Sequence, residues 1–109
     1  MEAATCPAAV DPIYSIYRDE EDFQELLEDF LSAAQTRQAV LRESFESGAI
    51  DSIRSQAHQI KGAGGGYGFE GLSELAAQLE EVCKDQDAHP EDIAPLLDGV
   101  VDYLSRIRI

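Results

Sequence analysis

The sequence predicts an all-α fold, an antiparallel four-helix bundle with a short N-terminal arm or helix. Three observations predict it: apolar residues recur at spacings of three and four, no segment alternates with period two, and the connections between periodic stretches are short. No strand is expected. At 109 residues the chain can build one hydrophobic core and is too short for a second, which excludes an enzyme with separate nucleotide and substrate domains.

Residues 1 to 11 are small, Ala-rich and broken by Pro7, so residues 1–18 read as a loose arm with a short helix around Ile13 to Tyr17. The bundle is expected over residues 19–109. From about Asp19 to Ser47, the residues Phe23, Leu26, Leu27, Phe30, Leu31, Ala34, Leu41 and Phe45 predict a long amphipathic helix, which Gly48 ends. The acids Asp19 to Asp22 favour a helix N-terminus rather than a metal.

Asp51 can cap a second helix carrying Ile53, Ala57 and Ile60, which runs into the glycine-rich stretch Gly62 to Gly68. A third helix shows Leu72, Leu75, Ala76, Leu79, Val82 and Cys83. The fourth starts at Pro90, with His89 as the residue before it and Glu91 and Asp92 in its first turn. Ile93, Leu96, Leu97, Val100, Val101, Leu104 and Ile107 mark its buried face.

Charge narrows the partners. Eight Lys and Arg face 22 acids, a net charge of -14, which argues against nucleic acid and against an anionic membrane surface. No basic leader and no apolar run of roughly 20 residues is visible, so no secretory signal or membrane span is expected. Cys6 and Cys83 have no C-x-x-C spacing and read as reduced thiols in a cytoplasmic protein. Gly66 to Gly71 formally matches G-x-G-x-x-G, but it follows a helix rather than a strand, and no P-loop is present.

The second helix carries the candidate chemistry. At about 100° per residue, Ile53, Ile60, Gly64 and Tyr67 point away from His58, which therefore faces solvent. On the side of His58 lie Arg54 one turn before it, Lys61 and Gly62 one turn after it, and Gly65 two turns after it. Imidazole is nucleophilic near pH 7, and a neighbouring ammonium can offset the charge of incoming phosphoryl oxygens. Gly62 leaves room for a docking partner. Helical glycine costs about 1 kcal/mol relative to alanine, so a run of them needs compensation. Gly64 would admit a neighbouring helix, Gly62 and Gly65 keep the His58 face low, and Gly68 can end the helix in a left-handed conformation.

The segment from Ala57 to Phe69 resembles the histidine-containing phosphotransfer (HPt) domain, whose pattern is His-x-x-Lys-Gly followed by Gly six residues after the first Gly. It is also similar to the phosphotransfer domain that begins chemotaxis kinases. By resemblance His58 is the phosphoacceptor, Lys61 stabilises phosphate, Gly62 gives clearance at the phosphorylation site, and Gly68 makes the turn. Arg54 and Gly65 are candidate docking residues. The resemblance implies a phosphotransfer protein with no autonomous kinase activity and no cofactor of its own. Phosphate would pass to and from aspartates on response-regulator receiver domains or a hybrid histidine kinase, with Mg2+ on the receiver. The expected form is a monomeric phosphorelay intermediate. The alternatives are the substrate domain of a larger, chemotaxis-type histidine kinase, or a module that binds receivers without transfer. Met1 and the helical ending at Ile109 favour a complete small protein, although a fragment would look the same.

Overall fold

The computed structural model describes residues 11–85 and 87–108. Its body is four helices, α1 (Gln24–Glu46), α2 (Ile50–Gly66), α3 (Glu70–Val82) and α4 (Pro90–Arg106). A 3-10 turn at Glu21–Phe23 leads into α1, so the α-helix begins five residues later than the acids at Asp19 suggest. Gly48, at φ 72°, ends the first helix as expected. Helix α2 is entered from Ala49, and Asp51 lies inside its first turn. There its carboxylate faces the positive end of the helix dipole instead of capping a backbone N–H. In α4, Pro90 is the first residue, and the Asp92 carboxylate accepts the His89 backbone N–H at 3.4 Å.

Two expectations are corrected near the ends of the described chain. Ile13 to Tyr17 is not a helix, and strands do occur: β1 (Ile13–Tyr14) pairs in parallel with β2 (Ile107–Arg108). The physical reason is local. Ser15, only 3% exposed, donates its hydroxyl to Tyr67 O at 2.6 Å and accepts the Tyr17 N–H at 2.9 Å. Side-chain bonds of this kind give the backbone an alternative to the helix ladder. The Ile16 N–H donates to Gly68 O at 3.2 Å, and Arg106 Nε donates to Asp11 O at 2.8 Å. Residues 11–18 are thus a strap across one end of the bundle. The part of the arm before Asp11, including Cys6 and Pro7, lies outside the described residues.

The core joins all four helices. Leu27, Phe30 and Leu41 from α1 meet Ile53 and Ile60 from α2, Leu72 and Leu79 from α3, and Ile93, Leu97 and Leu104 from α4, none more than 4% exposed. Each such side chain contributes about 1.5–3 kcal/mol when fully buried. Leu26 departs from the expected stripe and is 43% exposed. It is rotated about 100° from Leu27, past the edge of the face that Leu27, Phe30, Ala34 and Leu41 bury. The Phe30 ring stacks on Tyr67 and Phe69, at centroid separations of 4.9 and 5.5 Å, and pins α1 to the end of α2.

Helix α2 packs chiefly against α3. Gly64 makes this possible, because a β-carbon there would stand 3.1 Å from Ser73 N and 3.2 Å from Phe69 O. The glycines do not unwind α2, which stays helical through Gly66. Among the described residues, no helix is long and apolar enough to cross a membrane.

Candidate functional site

The site begins with the direction that α2 imposes on its side chains. Ala57 and Ile60 are fully buried and Ile53 is 1% exposed, so the opposite face of the same helix is turned to water. The His58 side chain stands on that face and is 68% exposed. Ser73 at the start of α3 donates its hydroxyl to Lys61 O at 2.8 Å, which ties the two helices together one turn beyond His58.

Across this contact, α3 brings a carboxylate that sequence reasoning missed. Glu80 Oε2 lies 2.9 Å from His58 Nδ1, and Glu80 Oε1 lies 2.8 Å from Lys61 Nζ. The Glu80 side chain is only 13% exposed, whereas the two groups it joins are 68% and 40% exposed. The hydrogen bond from Lys61 holds the Glu80 carboxyl below its ordinary value of 4.5; partial burial opposes this, and the bond from His58 adds to it. An ionised carboxylate has no proton to give, so His58 Nδ1 must carry the hydrogen of their bond. The lone pair of a neutral His58 ring is then on Nε2, away from Glu80.

Arg54 and Lys61, which the spacing puts on the side of His58, do not make an unbroken positive surface there, since the Glu80 anion sits between imidazole and ammonium. Lys61 points at Glu80 rather than alone into solvent. Arg54 lines a shallow groove of about 390 Å³ with Asp51, Ser55, His58, Glu80 and Lys84. Lys84 also pairs with Glu81 at 3.3 Å.

The glycines separate into two groups. A β-carbon at Gly62 would meet nothing within 4 Å, and one at Gly65 would meet only Ser73 Oγ, at 3.8 Å. Both lie on the open side of α2, as the spacing predicts. Gly68 does not reach the His58 region. At φ 86° it turns the chain out of α2, and a β-carbon there would collide with Ser15 Oγ and stand 2.8 Å from Tyr17 Cδ2. Its position serves both the turn and the strap.

The model of the Hpt domain family matches residues 25–108, from the start of α1 to the end of β2. The chain belongs to the Hpt domain family. Membership implies histidine phosphotransfer within two-component phosphorelays, in which Hpt domains work with receiver domains and kinases. Comparison with curated proteins and with solved structures finds no match.

In this Hpt domain the sequence brought His58, Lys61, Gly62 and Gly65 to one face correctly. Glu80 escaped because an acid beside the core residue Leu79 looks like any solvated helix flank, and it is 22 residues from His58. The one available signal is that α2 carries two groups able to donate to a carboxylate, His58 and Lys61, three residues apart on one side. The fully buried Cys83 is a free thiol at the end of α3, and burial pushes its pKa up.

Proposed function

We propose that this Hpt domain is a phosphorelay intermediate that accepts a phosphoryl group on His58 Nε2 from a receiver-domain aspartate and passes it to another receiver. The bond between His58 Nδ1 and Glu80 Oε2, at 2.9 Å, carries the reading. It keeps the proton on Nδ1 and leaves Nε2 with its lone pair directed outward as the nucleophile. In the transfer, Nε2 attacks the phosphorus of an aspartyl phosphate. The N–P bond forms, the P–O bond breaks, and the aspartate leaves as a carboxylate.

As the lone pair enters the N–P bond the ring becomes more positive, and the nearby Glu80 carboxylate favours that change. The ammonium of Lys61, on a flexible stem, can exchange Glu80 for the arriving phosphoryl oxygens and offset their charge. Gly62 leaves space for the receiver above the ring. The magnesium that the phosphoryl group needs belongs to the receiver, and this chain supplies an oriented imidazole and a docking face. In this reading the domain acts in the cytoplasm as a monomer, supplied by a hybrid histidine kinase.

The test is to mix the chain with a radiolabelled phospho-receiver and magnesium. Label should move to the chain with the acid-labile, base-stable behaviour of phosphohistidine. His58→Gln should abolish the transfer and leave the melting temperature unchanged, because the ring is largely exposed. A His58→Gln protein that still takes label would overturn the assignment.

A further inference from the structure

We infer that Arg54 binds the phosphoryl group once it is on His58, so that the groove beside the ring is a phosphate subsite of the phosphorylated state; this rests on the phosphotransfer reading above. The groove runs from His58 toward the start of α2. It is lined by Asp51, Arg54 and Ser55 from the turns before His58 and by Glu80 and Lys84 from α3, and neither Lys61 nor Gly62 is part of it. Helical side chains lean toward the N-terminus of their helix, so the His58 ring leans over the turn that carries Arg54. Glu80 takes Nδ1 at 2.9 Å, which leaves Nε2, and anything bonded to it, on the other side of the ring.

Arg54 is also the cation of this groove that no carboxylate holds. Lys84 is held by Glu81 at 3.3 Å, and Lys61, just outside the groove, is held by Glu80 at 2.8 Å. Among the described residues Arg54 makes no ion pair, although Asp51 is one turn before it. Its side chain is exposed. Its charge nevertheless reaches the Cys83 thiol at the end of α3, where it opposes the upward push of burial. The guanidinium thus lies over the groove, toward α3.

The phosphorylated state needs such a cation. A phosphoryl group carries about two negative charges near pH 7, and on Nε2 it stands one ring away from the Glu80 carboxylate. Lys61 cannot balance both anions, because turning to the phosphoryl group takes it from Glu80. Arg54 lies four residues before His58, a spacing that puts their β-carbons about 6 Å apart. Within that reach its planar fork can donate two parallel N–H bonds to two phosphoryl oxygens, a geometry that an ammonium lacks. Arg54 makes and breaks no covalent bond. It moves the balance between phospho-His58 and the phospho-receiver toward phospho-His58.

The inference is tested with Arg54→Gln and Arg54→Lys variants of the full chain, mixed with magnesium and a radiolabelled phospho-receiver that labels the wild-type chain. Single-turnover transfer over a range of receiver concentrations gives the half-saturating concentration, and the final distribution of label gives the equilibrium ratio of phospho-chain to phospho-receiver. Arg54→Gln should lower that ratio about tenfold, and Arg54→Lys should recover part of the loss. The melting temperature should not change, because the side chain is exposed. Nitrogen NMR of the wild-type chain should show the Arg54 Nε–H signal moving on phosphorylation. An unchanged equilibrium ratio in Arg54→Gln overturns the phosphate contact and leaves the phosphotransfer reading intact, as does a rise in half-saturating concentration alone. A wild-type chain that takes no label from any receiver overturns the phosphotransfer reading and this inference with it.

Discussion

Glu80 on α3 accepts the Nδ1 proton of His58 on α2 at 2.9 Å, and its second oxygen holds Lys61 at 2.8 Å. One carboxylate therefore orients the imidazole and restrains the ammonium. In the proposed transfer Glu80 is a positioning residue, since it acts through His58 and does not touch phosphate.

Removing that carboxylate should slow transfer without preventing docking. For Glu80→Ala we expect a fall in limiting rate of roughly ten- to a hundredfold, the range seen when an orienting partner is taken from a metal-binding histidine. The half-saturating receiver concentration should stay constant. The distinguishing readout is nitrogen NMR of the ring: wild-type His58 should carry its proton on Nδ1, and Glu80→Ala should show a mixture of tautomers. A single Nδ1–H tautomer persisting in the variant would remove the role.

The same carboxylate makes a small part of the stability pH-dependent. Its pKa in the folded chain lies below the ordinary 4.5, so the stability it contributes is present above that value and is lost as pH falls through the lowered one. The partners are substantially exposed, so solvent screening limits the contribution to below about 1 kcal/mol. Urea unfolding of wild type and Glu80→Gln should differ by this amount at pH 7 and converge as pH falls through the lowered pKa of Glu80. A difference that grows as pH falls would contradict the sign.

Glycine substitutions should separate docking from folding. Gly62→Ala should raise stability by up to about 1 kcal/mol, because the helix gains and the added methyl meets nothing. Gly64→Ala should lower it by about 1–3 kcal/mol, because the methyl presses on the backbone of Phe69 and Ser73. Chemical denaturation measures both. Gly62→Gln should fold as well as Gly62→Ala yet raise the half-saturating receiver concentration; equal transfer kinetics would remove Gly62 from the docking face.

Much of this was legible from period and spacing alone. The outward direction of His58, the inward direction of Ile53 and Ile60, and the close approach at Gly64 all follow from the angle between residues on one helix. Leu26 was misread because a spacing of three and four marks a stripe without marking its edges. The strap was misread because Ile13 to Tyr17 has no helical or alternating pattern strong enough to oppose the bonds made by the Ser15 hydroxyl, one of which goes to Tyr67, 52 residues away.

The sequence by itself determined four helices, the solvent-facing imidazole and the low glycine surface next to it, because helical geometry is local and repeats along the chain. Only the tertiary structure decided which acid, of the 22 present, would stand against that imidazole. Packing made that choice: Gly64 lets α3 settle on α2, the Ser73 bond to Lys61 O fixes their level, and Glu80 then comes within 2.9 Å of His58 Nδ1.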